Sequence, residues 1–143
     1  MSTFTVKGEI RWSDIDPNFH VLHSKYYDFC ANARMIVLAN HGVTMQAIQE
    51  AHIGPILFRE ECIFKRELKF GDTIEIHIKL LKATLDFSRW SFVNEIWKNN
   101  DTLAAVVTVD GAWMDTVLRK LAVPPQSFQQ AFAAMPKAEN YNL

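Results

Sequence analysis

The alternation of residues 73–81, TIEIHIKLL, constrains the fold more than any other feature of the chain. Its apolar residues fall on one side of an extended strand: Ile74, Ile76, Ile78 and Leu80. The residues between them are charged or polar and fall on the other side. This period of two predicts a strand with one face on a core and one face toward solvent. The sheet that contains it must therefore cover something apolar.

Four further segments are typical of strands: residues 3–12, 57–68, 87–97 and 102–114. Only short turns separate the last three from each other and from residues 73–81, namely "FGD" at 70–72 and "KNND" at 98–101. Strands joined by short turns are antiparallel neighbours. The sequence therefore predicts one antiparallel sheet of about five strands, with one face to bury.

A long helical segment lies between the first strand and the others. From Ser24 onward one helical face carries Tyr26, Cys30, Ala33, Val37 and Asn40. A helix with apolar residues on most sides is expected to be buried. Ser24 is a candidate N-cap and Gly42 a candidate stop. The only large apolar element available for the sheet to cover is this helix, so the predicted fold is α+β, a sheet wrapped round a long central helix.

Two shorter helices complete the predicted order. Residues 44–50 are expected to form one of them. Pro124-Pro125 opens the other, which Phe128, Phe132 and Met135 anchor. Because neither repeat nor linker interrupts the chain, we expect a single domain over residues 1–143.

Composition excludes several classes of function. The net charge is −1 over 143 residues, without a block of Lys and Arg, which argues against binding to nucleic acid or an anionic membrane. Cys30 and Cys62 lie in apolar surroundings and are expected to be reduced, buried thiols. The N-terminal residues lack a secretory apolar core, and no run approaches the roughly 20 apolar residues of a membrane span. We therefore expect a cytoplasmic protein.

The loop before the central helix is unusually rich in reactive side chains. The stretch SDIDPNFHVLHSKYY, residues 13–27, carries Asp14, Asp16, His20 and His23. It is either a polar turn between a strand and a helix or a functional site. A mixed Asp and His metal site is a further alternative, but the sequence shows no other ligand cluster, so no metal is expected.

The same loop resembles a family motif. The segment D14-I-D16-P-N-F-H20-V21-L-H23-S-K-Y26 is similar to the pattern D-x-D-x-x-G-[HV]-V-x-[HN]-x-x-Y, and Ala33-Arg34 follows. This pattern is found in the 4-hydroxybenzoyl-CoA thioesterase-like family of acyl-CoA thioesterases, which have the hotdog fold. The later strands and the Pro-led helix resemble the family in the same order. Phe19 departs from it, because many members have glycine there.

The resemblance implies an acyl-CoA thioesterase that releases a free carboxylate and CoA. Asp16 is then the general base or the nucleophile, whereas the alternative is an Asx-turn residue that stabilises the loop. The N-terminus of the central helix is the implied oxyanion site, with the backbone N–H of His23 as donor. The His23 imidazole either assists the reaction or is a structural hydrogen-bonding group. Asp14 is expected to brace the loop.

Four more residues are candidates for substrate binding. His20 either bonds Asp16 or packs in the loop. Phe19, where many family members have glycine, either narrows the space near the thioester or changes the backbone of the loop. Tyr26 lines the acyl pocket or belongs to the core. Arg89 binds a CoA phosphate or is merely solvated.

The family also implies partners. Hotdog sheets pair edge to edge, so a homodimer or a dimer of dimers is expected, with a small-molecule acyl-CoA substrate and no cofactor. Two alternatives stay open at this point: a non-catalytic acyl-CoA-binding hotdog protein, which Phe19 favours, and a thioesterase for acyl-carrier-protein substrates.

Overall fold

The structure, a computed structural model, describes residues 4–142. Its elements, in chain order, are β1 (Thr5–Glu9), a 3-10 turn (Trp12–Asp14), α1 (Lys25–Asn40), α2 (Met45–Glu50), β2 (Ile53–Phe64), β3 (Thr73–Ala83), β4 (Arg89–Lys98), β5 (Thr102–Asp115), α3 (Gln126–Ala133) and β6 (Lys137–Asn142). The predicted order of strands and helices is confirmed up to α3. The final strand, β6, was not predicted.

The strands form one sheet in the order β1-β3-β4-β5-β2, with antiparallel neighbours throughout. β6 adds a short parallel pairing with β3. The first strand is shorter than the predicted 3–12, since the chain leaves it after Glu9 and turns at Trp12–Asp14; residue 3 lies outside the described residues. The α+β class and the antiparallel sheet are confirmed.

Helix α1 lies against the inner face of this sheet. The predicted buried positions Tyr26, Cys30, Ala33 and Val37 are all buried. Asn40 is exposed, so its predicted place on the buried face is wrong. Asn40 is the last residue of α1, so no further helical turn packs against the sheet beyond it.

Helix α3 begins directly after Pro124-Pro125, as predicted. Phe128, Phe132 and Met135 are buried. Phe132 packs against Trp113 of β5 and Phe92 of β4, with ring centroids 5.9 and 5.5 Å apart. These three rings form an aromatic cluster where α3 meets β4 and β5.

The two cysteines are free thiols. Cys30 is buried, whereas Cys62 is only partly so, which corrects the expectation of two buried residues. Burial raises the pKa of Cys30 to about 12 and that of Cys62 to about 11. Because the thiolate is the reactive form, neither cysteine is a nucleophile at neutral pH.

Strand β2 forms one edge of the sheet and is twelve residues long. One side pairs with β5, with an irregularity between Leu57 and Arg59. Within residues 4–142 no strand pairs with its other side. A long unpaired edge is a template for another strand.

Candidate active site

The loop between β1 and α1 is a compact turn closed by backbone hydrogen bonds. Ile15 and Val21 form an antiparallel bridge. The N–H of Asp16 donates to the carbonyl of His20 at 2.9 Å, and the N–H of Phe19 donates to the carbonyl of Asp16 at 3.0 Å. These bonds hold Asp16 at the base of the loop.

Phe19 occupies the position where the related motif has glycine. Its φ is 65°, in the left-handed region that glycine adopts without strain. The motif glycine is therefore explained by backbone conformation. The Phe19 side chain is 72% exposed and points into solvent, so it does not fill the space beside Asp16 in this chain.

The Asp16 carboxylate is half-buried and held through one oxygen. Oδ1 accepts from the backbone N–H of Asn18 at 2.8 Å and of His20 at 3.4 Å, which is an Asx turn. Oδ2 accepts no hydrogen bond within residues 4–142. The Asx-turn interpretation is thus correct for Oδ1, and Oδ2 is left for a ligand or water.

Asp14 has a structural environment. It is fully buried and accepts from three Arg11 nitrogens: the backbone N at 2.9 Å, Nη2 at 3.1 Å and Nε at 3.4 Å. Its own carbonyl accepts from the N–H of Leu22 at 2.9 Å. Asp14 therefore ties both ends of the loop together.

Replacing Asp14 by alanine is expected to lower the free energy of unfolding by about 1.5–3 kcal/mol, because hydrogen bonds to a charged, buried acceptor are lost. The matched control is Asp28→Ala at an exposed position in the first turn of α1, where the expected loss is under about 1 kcal/mol. Urea titration followed by circular dichroism measures both values. Equal losses in the two variants contradict the bracing role.

Helix α1 begins directly after the loop. Ser24 occupies the N-cap position of α1, as predicted, but its backbone angles are helical, φ −68° and ψ −22°, and its hydroxyl makes no capping hydrogen bond. Within the described residues the backbone N–H groups of His23 and Ser24 have no acceptor. This helix end therefore presents free donors and the positive end of the helix dipole.

The His20 imidazole lies against a carboxylate that sequence analysis did not identify. Its Nε2 is 2.6 Å from Oε2 of Glu67, in the β2–β3 connection. It does not orient Asp16; the backbone N–H of His20 does so instead. Glu67 falls within the predicted strand 57–68, but β2 ends at Phe64, so Glu67 lies in the connection beyond the strand. No sequence pattern links it to His20, which is why sequence analysis did not place it here.

Tyr26 connects the start of α1 to the end of β2. It is buried, and its ring meets Phe64 edge-on with centroids 4.9 Å apart. Burial raises the pKa of Tyr26, the backbone of Leu68 acts in the opposite direction, and the charges of Glu67 and Asp16 add to the rise. The structure thus brings Asp16, His20, Tyr26 and Glu67 together at one end of α1.

The side chains of His23 and Arg89, both predicted site residues, do not join this group. The His23 side chain is exposed and makes no hydrogen bond within residues 4–142. The Arg89 guanidinium lies 6.0 Å from the ring centroid of Phe58. Phe58 is six residues before Phe64 on β2, which at about 3.3 Å per residue is roughly 20 Å. Within one chain, Arg89 is therefore remote from Asp16.

Comparison with protein-family models identifies the family of this chain. Residues 10–132 match the model of the thioesterase-like superfamily. The chain belongs to the thioesterase-like superfamily. This membership supports the predicted enzyme class, a thioester hydrolase. A comparison with curated protein sequences finds no match.

Solved structures extend the superfamily comparison to the fold. A hypothetical protein from Staphylococcus aureus in complex with CoA has a TM-score of 0.85 at 19% identity, over 94% of this chain and 87% of that one. A 1,4-dihydroxy-2-naphthoyl-CoA thioesterase from Synechocystis gives 0.83 at 20%, over 92% and 96%. A DHNA-CoA thioesterase from Staphylococcus aureus gives 0.81 at 14%, over 90% and 87%. The predicted hotdog fold is confirmed.

Two further findings concern this superfamily member. No helix within residues 4–142 has the length and apolar content that crossing a bilayer requires. The described part of the chain contains no group of three or more His, Cys, Asp or Glu residues suited to a metal ion.

Proposed function

We propose that the protein hydrolyses an acyl-CoA thioester to a free carboxylate and CoA. One observation carries this proposal. The Asp16 carboxylate has an oxygen, Oδ2, that accepts no hydrogen bond within residues 4–142, and its loop leads into the start of α1, where the N–H groups of His23 and Ser24 have no acceptor in the described residues. Acyl transfer needs two parts. One is a carboxylate that activates water or attacks the carbonyl itself, and the other is a set of N–H groups that donate hydrogen bonds to the developing oxyanion.

The proposed reaction uses Asp16 in one of two ways. As general base, Oδ2 takes a proton from water while the water oxygen attacks the thioester carbonyl. As nucleophile, Oδ2 attacks the carbonyl itself, and water then hydrolyses the resulting anhydride. In both cases the C–S bond breaks and the thiolate of CoA leaves and is protonated. The N–H groups of His23 and Ser24 donate to the carbonyl oxygen.

The remaining candidates take positions around this centre. We assign the buried Tyr26 ring to the wall of the acyl site, and the exposed Phe19 and His23 side chains to its solvent side. His20 borders the site through its ion pair with Glu67. Arg89 contributes to CoA binding only from a second subunit, because it is remote within one chain.

We further propose a homodimer that pairs through β2. Four of the large apolar side chains on this edge strand are exposed: Leu57, Phe58, Ile63 and Phe64. Pairing two β2 strands would satisfy their free backbone groups and cover these side chains. The dimer of dimers and the cytoplasmic location stay predictions; the two free thiols favour a reducing compartment.

Release of thiol from a panel of short, long and aromatic acyl-CoAs tests the function. Turnover that yields carboxylate and CoA in equal amounts supports it. The same acyl groups on pantetheine and on acyl-carrier protein distinguish the carrier-protein alternative. Binding of acyl-CoA without any turnover would overturn the proposal in favour of a non-catalytic acyl-CoA-binding protein.

A further inference from the structure

A cavity of about 220 Å³ lies between α1 and the inner face of the sheet. Arg34 and Leu38 of α1 line one side, and Trp90, Phe92 and Trp113 of the sheet line the other. It is separate from the loop that carries Asp16, since none of that loop's residues lines it. Most of its wall is apolar and aromatic, but three of its residues carry hydrogen-bond donors.

All three donors are buried without partners. Nη1 of Arg34 and the indole Nε1 atoms of Trp90 and Trp113 have no hydrogen bond in the described structure. Buried polar groups are nearly always paired, and each exception needs an explanation. Three exceptions around one cavity indicate a shared missing partner.

The charge of Arg34 strengthens this point. Its side chain is only 7% exposed, and no carboxylate lies within 4.0 Å of it among residues 4–142. Burial lowers the pKa of Arg34, and the charges of Cys30 and Glu60 act in the opposite direction. An arginine keeps its proton at any pH at which proteins fold, so the cavity holds an unpaired cation.

We propose that this cavity binds the far end of the acyl group, and that this end carries a carboxylate. Guanidinium and indole groups only donate, so their partner must be a pure acceptor, and a carboxylate is an acceptor with the opposite charge. The natural substrate is then the mono-CoA thioester of a dicarboxylic acid. This inference rests on the proposed thioesterase function.

The position of Arg34 on α1 sets the length of this acyl group. Arg34 comes nine residues after Lys25, roughly 14 Å along the helix at about 1.5 Å per residue. Helical side chains lean toward the N-terminus, which brings the guanidinium back by about one turn of 5 Å. The remaining distance of roughly 9 Å suits a diacid of about six to eight carbons.

Matched pairs of substrates test the inference: adipoyl-CoA against hexanoyl-CoA, and suberoyl-CoA against octanoyl-CoA. For the native protein we expect kcat/KM to favour the carboxylated member of each pair by about 10- to 100-fold, the range of a charged hydrogen-bonded contact. In Arg34→Met the preference is expected to vanish, because diacyl substrates lose rate while monoacyl substrates keep theirs.

Controls separate this effect from damage to the fold. Lys7→Met removes a cation from an exposed position of β1 and should keep the native preference. Trp113→Phe removes one neutral donor while keeping an aromatic ring, so it provides a second variant if Arg34→Met does not fold. A reduced preference is expected in Trp113→Phe, without a general loss of rate.

The outcomes distinguish the two proposals. Equal rates within each pair, or an equal loss on both members in Arg34→Met, overturn the carboxylate site and leave the thioesterase function standing. If no acyl-CoA is hydrolysed, the proposed function fails, and titration with adipate followed by tryptophan fluorescence tests the cavity alone. Saturable quenching in the native protein but not in Arg34→Met supports the site; no quenching overturns it.

Discussion

Asp16→Asn is expected to lower kcat/KM for the best acyl-CoA substrate by about 10²- to 10⁴-fold, the usual contribution of a positioned acid–base group. The amide keeps the shape of the side chain and can still accept the Asn18 and His20 N–H bonds through its oxygen. What it loses is the charge and basicity of the second oxygen. The loop should therefore stay folded while the chemistry fails.

Two measurements accompany this prediction. Thermal unfolding of Asp16→Asn should match that of the native protein, and the affinity for CoA should be unchanged, because the substitution does not alter the ligand-binding walls. Asp28→Asn, which removes an exposed carboxylate from the same helix end, is the control and should retain native rates. A folded Asp16→Asn protein with more than a tenth of native activity would contradict the assigned role.

Ile63→Lys is expected to separate the proposed dimer into monomers. Ile63 lies near the end of the edge strand β2 and is exposed in the single chain. Lysine on an edge strand opposes pairing with another strand. Because a two-fold interface contains each substitution twice, we expect the dissociation constant of the dimer to rise by about 100-fold or more.

Analytical ultracentrifugation measures this change over a range of protein concentrations. Leu85→Lys is the control, since Leu85 is exposed in the turn between β3 and β4, away from the β2 edge. If the partner supplies Arg89 to the site, the monomeric variant should also bind CoA less tightly. A native protein that sediments as a monomer, or an Ile63→Lys protein that remains a dimer, would rule out pairing through β2.

The sheet was predictable because its signals are local. Strands β3 to β5 alternate with a period of two between short turns, and each was predicted within about three residues of its observed bounds. Strand β6 carries the polar sequence KAENYN, which has no such alternation. Its place beside β3 depends on where α3 ends, and therefore on tertiary packing.

The candidate site was predictable only in part. The spacing of Asp16 and the helix start is a property of one loop, so the motif located both. The ion pair between His20 and Glu67 joins residues 47 positions apart and depends on how the β2–β3 connection returns to the loop. Phe19 illustrates a further limit, because its side-chain direction follows from a left-handed backbone that the residue type itself disfavours.

The unpaired donors around Arg34 were hidden for a similar reason. Arg34 appears in the sequence as part of a motif on an apolar helix, where a solvated arginine is the ordinary expectation. Its burial, and its position opposite Trp90 and Trp113, come from the packing of α1 on the sheet. Only the structure shows that three donors share one cavity.

A single-turnover experiment tests the central account most directly. Native protein and Asp16→Asn are each mixed, in excess, with the best acyl-CoA, and bound substrate, free carboxylate and free CoA are followed with time. The account predicts that both proteins bind the thioester, that the native protein converts it to carboxylate and CoA, and that Asp16→Asn holds it intact. Equal conversion by the two proteins, or no conversion by either, would contradict it.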